Sequence, residues 1–149
     1  MTLSKLKSLK SLNLMGAKLT DGGLKAIAGL ENLEQLNLHG CKKIEGPGLQ
    51  LLVQLKHLKE LDSWHVLGEP GTRDDGFGYL AMMTLLEELS LNHCSEFSPN
   101  SLYRLKGLKN LKTINLSYAF HLQGLYIWGP AGIGSISKGL ANLQPAGVP

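Results

Sequence analysis

Leu33-Glu34-Gln35-Leu36-Asn37-Leu38 decides how this chain folds, because its LxxLxL spacing returns four more times. The other copies are Leu9-Lys10-Ser11-Leu12-Asn13-Leu14, Leu58-Lys59-Glu60-Leu61-Asp62-Ser63, Leu86-Glu87-Glu88-Leu89-Ser90-Leu91 and Leu111-Lys112-Thr113-Ile114-Asn115-Leu116. Their first leucines stand 24, 25, 28 and 25 residues apart, a fixed period with one insertion of about three residues. The end of each line alternates apolar and polar, the pattern of a short strand that buries every second side chain. The second half of each unit has helical spacing: Leu24, Ile27 and Leu30; Leu49, Leu52 and Leu55; Phe77, Leu80 and Met83; Leu102, Leu105 and Leu108. Helix-start signals precede three of these runs: Asp21, Asp74 with Asp75, and Ser98 followed by Pro99. A single strand-plus-helix unit cannot bury its own apolar face, so the copies must stack into a parallel sheet backed by short helices.

Composition agrees. Leucine fills 32 of 149 positions while aromatic residues are only 6%, the bias of a repeat. With 43% hydrophobic and 18% charged residues, the chain is that of one folded domain and not a disordered segment. A net charge of +3 with no run of like charge offers no arm for nucleic acid, and no stretch reaches the roughly 18 apolar residues of a membrane span. No nucleic-acid or membrane partner is therefore expected. Met1 to Lys10 lacks the apolar core of a signal peptide. Two cysteines, Cys41 and Cys94, are too few for the disulfide framework of a small secreted domain, which points to a cytoplasmic or otherwise intracellular setting.

Each line runs on to a small or apolar residue, Ala17, Cys41, Val66, Cys94 or Ala119, and four continue to Leu19, Ile44, Phe97 or Leu122. The whole pattern resembles the leucine-rich repeat. Cysteine at that position is similar to the cysteine-containing, ribonuclease-inhibitor-like intracellular subtype. The resemblance implies an α/β leucine-rich-repeat solenoid, with parallel strands on the concave face and short helices on the convex one. It covers residues 1–122 as about five repeats; residues 123–149, rich in glycine and proline, are an irregular C-terminal cap or a loose tail. Leu3 to Leu9 matches only the closing half of a unit, with no polar cap before it. Either the chain is a fragment of a longer protein or this edge is exposed, and an uncapped edge invites self-association.

The resemblance implies intracellular protein recognition, so the expected function is that of a non-catalytic protein-protein interaction scaffold. A narrower reading, also from resemblance, is the substrate-recognition part of a ubiquitin-ligase adaptor. Residues between and after the core leucines face the concave side, where His39, Glu60, Asp62, Trp64, His65, Glu88, Asn92, His93 and Tyr118 are the candidate partner contacts. Trp64 is the sharpest, since exposed tryptophan is enriched in binding hot spots; alternatively it folds over the neighbouring insertion, or turns inward if Ser63 lets the register slip by one. Glu60, Asp62 and Glu88 favour a basic partner surface, or else form an ordinary solvated face. The insertion Leu67 to Arg73 has loop chemistry and either carries specificity or is merely tolerated. Lys25, Lys56, Arg104, Lys106 and Lys109 fall on the helix side as a solvated convex face.

Catalytic chemistry finds little support. Cys41 and Cys94 stand two repeats apart, roughly 10 Å by strand spacing and beyond the ~7 Å reach of a disulfide, so both are expected as free, buried thiols. His39, His65 and His93 fall in two rows with no carboxylate at clear ligand spacing, a weak basis for the alternative of a zinc-dependent hydrolase. No GxSxG, P-loop, HExxH or CxxC pattern occurs, and the Gly129, Gly132 and Gly134 cluster follows no strand of a βαβ unit. No enzyme activity and no cofactor are expected.

Overall fold

The computed structural model describes residues 5–63, 75–92 and 99–116. Within them five three-residue strands, β1 (Ser11–Asn13), β2 (Gln35–Asn37), β3 (Glu60–Asp62), β4 (Glu88–Ser90) and β5 (Thr113–Asn115), form one sheet in chain order, each parallel to the next. The register aligns the repeats as the sequence does: Leu12 beside Leu36, Leu61, Leu89 and Ile114. The chain returns between strands through α1 (Asp21–Ala28), a 3-10 helix at Gly46–Gln54, α2 (Asp75–Ala81), and α3 (Pro99–Arg104), which runs into a 3-10 turn at Leu105–Gly107. These elements pack against one another in the same order behind the sheet.

The core consists of columns, each holding one residue per repeat. Leu33, Leu58, Leu86 and Leu111 form one; Leu24, Leu49, Phe77 and Leu102 another; Ile27, Leu52, Leu80 and Leu105 a third, all buried. In α1, Ala28 joins Leu24 and Ile27 on the buried face, giving the mixed three- and four-residue spacing of an α-helix. Leu49, Leu52 and Leu55 repeat at strictly three, and their segment is the 3-10 helix, in which residues i and i+3 eclipse. The expected helix after β2 is thus the tighter form.

Asp21 is the first helical residue of α1, not its cap; Thr20 holds the cap position. There the Asp21 carboxylate stands near the positive end of the helix dipole, and its Oδ1 accepts the Glu45 N–H at 2.9 Å, tying α1 to the next repeat. Gly48 permits this approach, since a Cβ there would lie 2.2 Å from the same oxygen.

Ser63 takes the place of the last core leucine and is fully buried. Its N–H donates to the Ser90 carbonyl at 3.0 Å, as Leu38 N–H does to Asp62 and Leu91 N–H to Asn115. The hydroxyl donates to the same Ser90 oxygen at 3.2 Å. Register therefore holds through Ser63, and no slip occurs in the third repeat as far as that residue. A buried hydroxyl is tolerated because it has an acceptor.

One residue before each strand runs a row the sequence reading passed over: Lys10, Glu34, Lys59, Glu87 and Lys112, alternating in sign from strand to strand. Glu34 pairs with Lys10 at 2.9 Å and Lys59 at 2.8 Å, and Glu87 pairs with Lys112. The backbone of this row is bonded too, with Gln35 N–H donating to Lys10, Lys59 N–H to Glu34, and Lys112 N–H to Glu87. Hydrogen bonds from the Lys59 and Lys10 ammonium groups hold the Glu34 carboxyl down to about 2. Lys112 lowers Glu87, and Glu34 in turn raises Lys59.

Two expectations follow from this frame. Leu61→Ala, at a site with strands on both sides, is expected to cost about 2–5 kcal/mol in urea unfolding, and the equivalent Leu12→Ala distinctly less because Leu12 is only half-buried; equal losses would contradict stacking as the source of stability. A carboxyl with a depressed folded pKa stabilises fully above its ordinary value of 4.5, and that contribution disappears as pH falls towards about 2. Between about pH 5 and pH 2.5 wild-type protein should lose more stability than Glu34→Gln, and about 1 M salt should narrow the difference; parallel pH curves would show that the ladder contributes nothing.

Candidate functional site

Because side chains alternate across a strand, each strand lends its first and third residues to the face opposite the helices. That face carries a groove of about 540 Å³ running across all five strands. One wall is Ser11, Gln35, Glu60, Glu88 and Thr113, the other Asn13, Asn37, Asp62, Ser90 and Asn115, with Asn92 beyond β4. Of the expected contacts, Glu60, Asp62, Glu88 and Asn92 line this groove. His39 lies past the end of β2, its Nδ1 3.8 Å from Asp62 Oδ2, with both side chains about one-third exposed. Trp64, His65, His93 and Tyr118 lie outside the described residues, as do the Leu67 to Arg73 insertion, Cys94 and residues 123–149.

The asparagine row has a structural duty. Asn13 Oδ1 accepts the Met15 N–H at 2.9 Å, and Asn37 Oδ1 accepts the His39 N–H at 2.8 Å. Such asparagine-to-backbone bonds end a strand in a tight turn, completed here by Gly16 and Gly40 at φ of 70° and 73°. The signal was present in the sequence as Asn-Leu-x-Gly at Asn13 to Gly16 and Asn37 to Gly40. The NH2 group of each of these side chains and the second lone pair of its oxygen remain for a ligand.

Charge gathers at one part of the groove. Glu60 and Glu88 are direct register partners on adjacent strands, about 4.8 Å apart at the backbone. Gln35 Nε2 donates to Glu60 Oε1 at 2.9 Å, whereas the Glu88 carboxylate has no hydrogen bond or ion pair among the described residues. Asp62 follows on β3. At the lip, Asn92 Oδ1 is buried without a hydrogen-bond partner. Repeats one and two contribute neutral Ser11, Asn13, Gln35 and Asn37 instead, so the groove has an uncharged end and an acidic middle.

No cysteine or histidine is among the described residues that line it. Cys41 is a free, buried thiol whose S–H donates to the Leu14 carbonyl at 3.2 Å, and burial pushes its pKa up, away from a nucleophilic thiolate. Among the described residues no three His, Cys, Asp or Glu side chains are placed to hold a metal ion, and no helix is long and apolar enough to cross a membrane. What the face offers chemically is shape, hydrogen-bond acceptors and negative charge.

Comparison with known proteins agrees with this geometry. A family model described as leucine-rich repeat matches residues 5–28 and 29–53, two consecutive units. Among solved structures, a TLR13–ssRNA13 complex superposes with a TM-score of 0.55 at 26% identity over 78% of this chain. The chain spans 16% of the length of that relative. Five in-register LxxLxL strands, the helices closing each unit and these matches together show that this chain has the fold of a leucine-rich-repeat solenoid.

Proposed function

We propose that the chain is a non-catalytic scaffold that binds another protein through its concave sheet face. The observation that carries this reading is the groove itself: a depression crossing five strands, lined by outward side chains that the core does not use. Leucine-rich repeats generally serve in recognition, and repeat arrays commonly present such extended concave surfaces to partners. A rigid sheet holds the contacting side chains in place before the partner arrives, which lowers the ordering cost of binding. Trp64, His65, His93 and Tyr118 remain candidate contacts on the grounds of sequence position. An intracellular location of the cysteine-containing subtype belongs to the same proposal, supported by Cys41 being a free thiol.

The structural relative is a complex with ssRNA. A nucleic-acid strand laid in the present groove would bring its phosphates against Glu60, Asp62 and Glu88, a repulsive arrangement. The lining thus favours a protein partner.

Filling the groove tests the reading. Ser90→Tyr with Thr113→Tyr adds bulk to both its walls, while Lys25→Tyr with Lys56→Tyr adds the same bulk to the helix side. In nuclease-treated affinity capture, the first pair should lose proteins that wild type and the second pair both retain. Loss only with the helix-side pair would move the binding surface to the convex face and refute the proposal.

A further inference from the structure

We infer that the groove's occupant is a cationic segment of a partner protein, with guanidinium or ammonium groups lying over Glu60 and Glu88 and beside Asp62. This rests on the reading of the concave face as a protein-binding surface and adds the chemistry of what that surface accepts.

The argument starts from a contrast between two adjacent rows of the same sheet. In the row before the strands, signs alternate without a break, so every carboxylate has a lysine beside it: Glu34 between Lys10 and Lys59, Glu87 beside Lys112. One residue further on, in the groove, Glu60 and Glu88 occupy directly neighbouring register positions with no cation between them. Like charges so placed on adjacent strands are destabilising. Lys59, the nearest candidate, is directed at Glu34, and Glu60 is the least of the influences acting on it.

Acceptors left without donors point the same way. The Glu88 carboxylate has no hydrogen bond or ion pair among the described residues, and the Asn92 side-chain oxygen is buried and unpartnered at the groove's lip. Leaving a buried acceptor unsatisfied is costly. Lysine and arginine are the side chains that donate several hydrogen bonds and accept none. Arginine fits best, because its planar fork can engage one carboxylate through two bonds and reach a second. A groove of about 540 Å³ also has room for side chains of that size.

Fluorescence anisotropy with labelled probes tests this on the full chain. The probes are Gly-Arg-Gly-Arg-Gly-Arg-Gly, the same peptide with citrulline for arginine, which keeps shape and removes charge, and a ten-nucleotide oligouridine. The protein variants are Glu60→Gln with Glu88→Gln, which keeps the acceptor facing Gln35, and Glu31→Gln with Glu45→Gln, which removes equal charge away from the groove. Glu88→Lys alone reverses the charge at a position with no partner to disturb, and circular dichroism checks each fold. The arginine peptide should bind wild type, weaken by about tenfold or more with citrulline and with the Glu60 and Glu88 variant, hold within about twofold in the control pair, and weaken with added salt. Equal binding of both peptides, lost on Glu88→Lys, would overturn the cationic occupant while leaving the groove as a protein-binding surface. Binding of oligouridine in preference to the arginine peptide would overturn both readings. No binding of the arginine peptide, or equal losses in the groove and control pairs, would overturn the inference.

Discussion

Leu36 and Leu61 are each only 2% exposed because a parallel strand lies on either side of them, whereas Leu12, with one neighbour among the described residues, stays half-buried. That difference is the controlling constraint of the molecule. Each repeat carries an apolar face too large to fold over itself, and the surface that covers it must be another copy of the same face. Strand direction, register and the placing of helices behind the sheet all follow. So does the half-exposed set at the first unit, where Leu9, Leu12, Leu14, Ala17 and Leu19 pack against the core but are not enclosed by it.

Stacking also explains why the face opposite the helices carries side chains that the core does not use. The core takes the central residue of each strand and hands the residues on either side to the opposite surface. With five strands in register, those residues become two straight rows, the members of each a strand spacing apart. Backbone bonds fix their positions, so apart from Asn13 and Asn37, whose side chains bond the turn backbone, their identities can vary with little effect on the fold. The neutral first half and acidic middle of the groove are therefore differences in side-chain identity upon one unchanging frame.

Much of this was legible in the sequence. The LxxLxL lines gave strand positions and register directly, because each leucine has a counterpart in every neighbouring copy. Glu60, Asp62, Glu88 and Asn92 were placed on the groove by the same alternation. Less legible were features that depend on distance in space. The strict three-residue spacing of Leu49, Leu52 and Leu55 did not declare a 3-10 helix, since an amphipathic α-helix tolerates the same positions. The bonds from Asn13 and Asn37 to the backbone were hidden by treating the row as a surface, although Asn-Leu-x-Gly announced a turn. Ser63 looked like a break in the pattern; only the nearby Ser90 carbonyl, 27 residues on, shows why a hydroxyl can sit there.

The alternating row of Lys10, Glu34, Lys59, Glu87 and Lys112 imposes a parity on how such an array can lengthen or shorten. Removing one internal unit would set two lysines or two glutamates side by side, converting attraction into repulsion at the new junction. Removing or duplicating a consecutive pair would leave the alternation whole. In this stretch of solenoid the smallest interchangeable module is two repeats, although the structural unit that recurs is one.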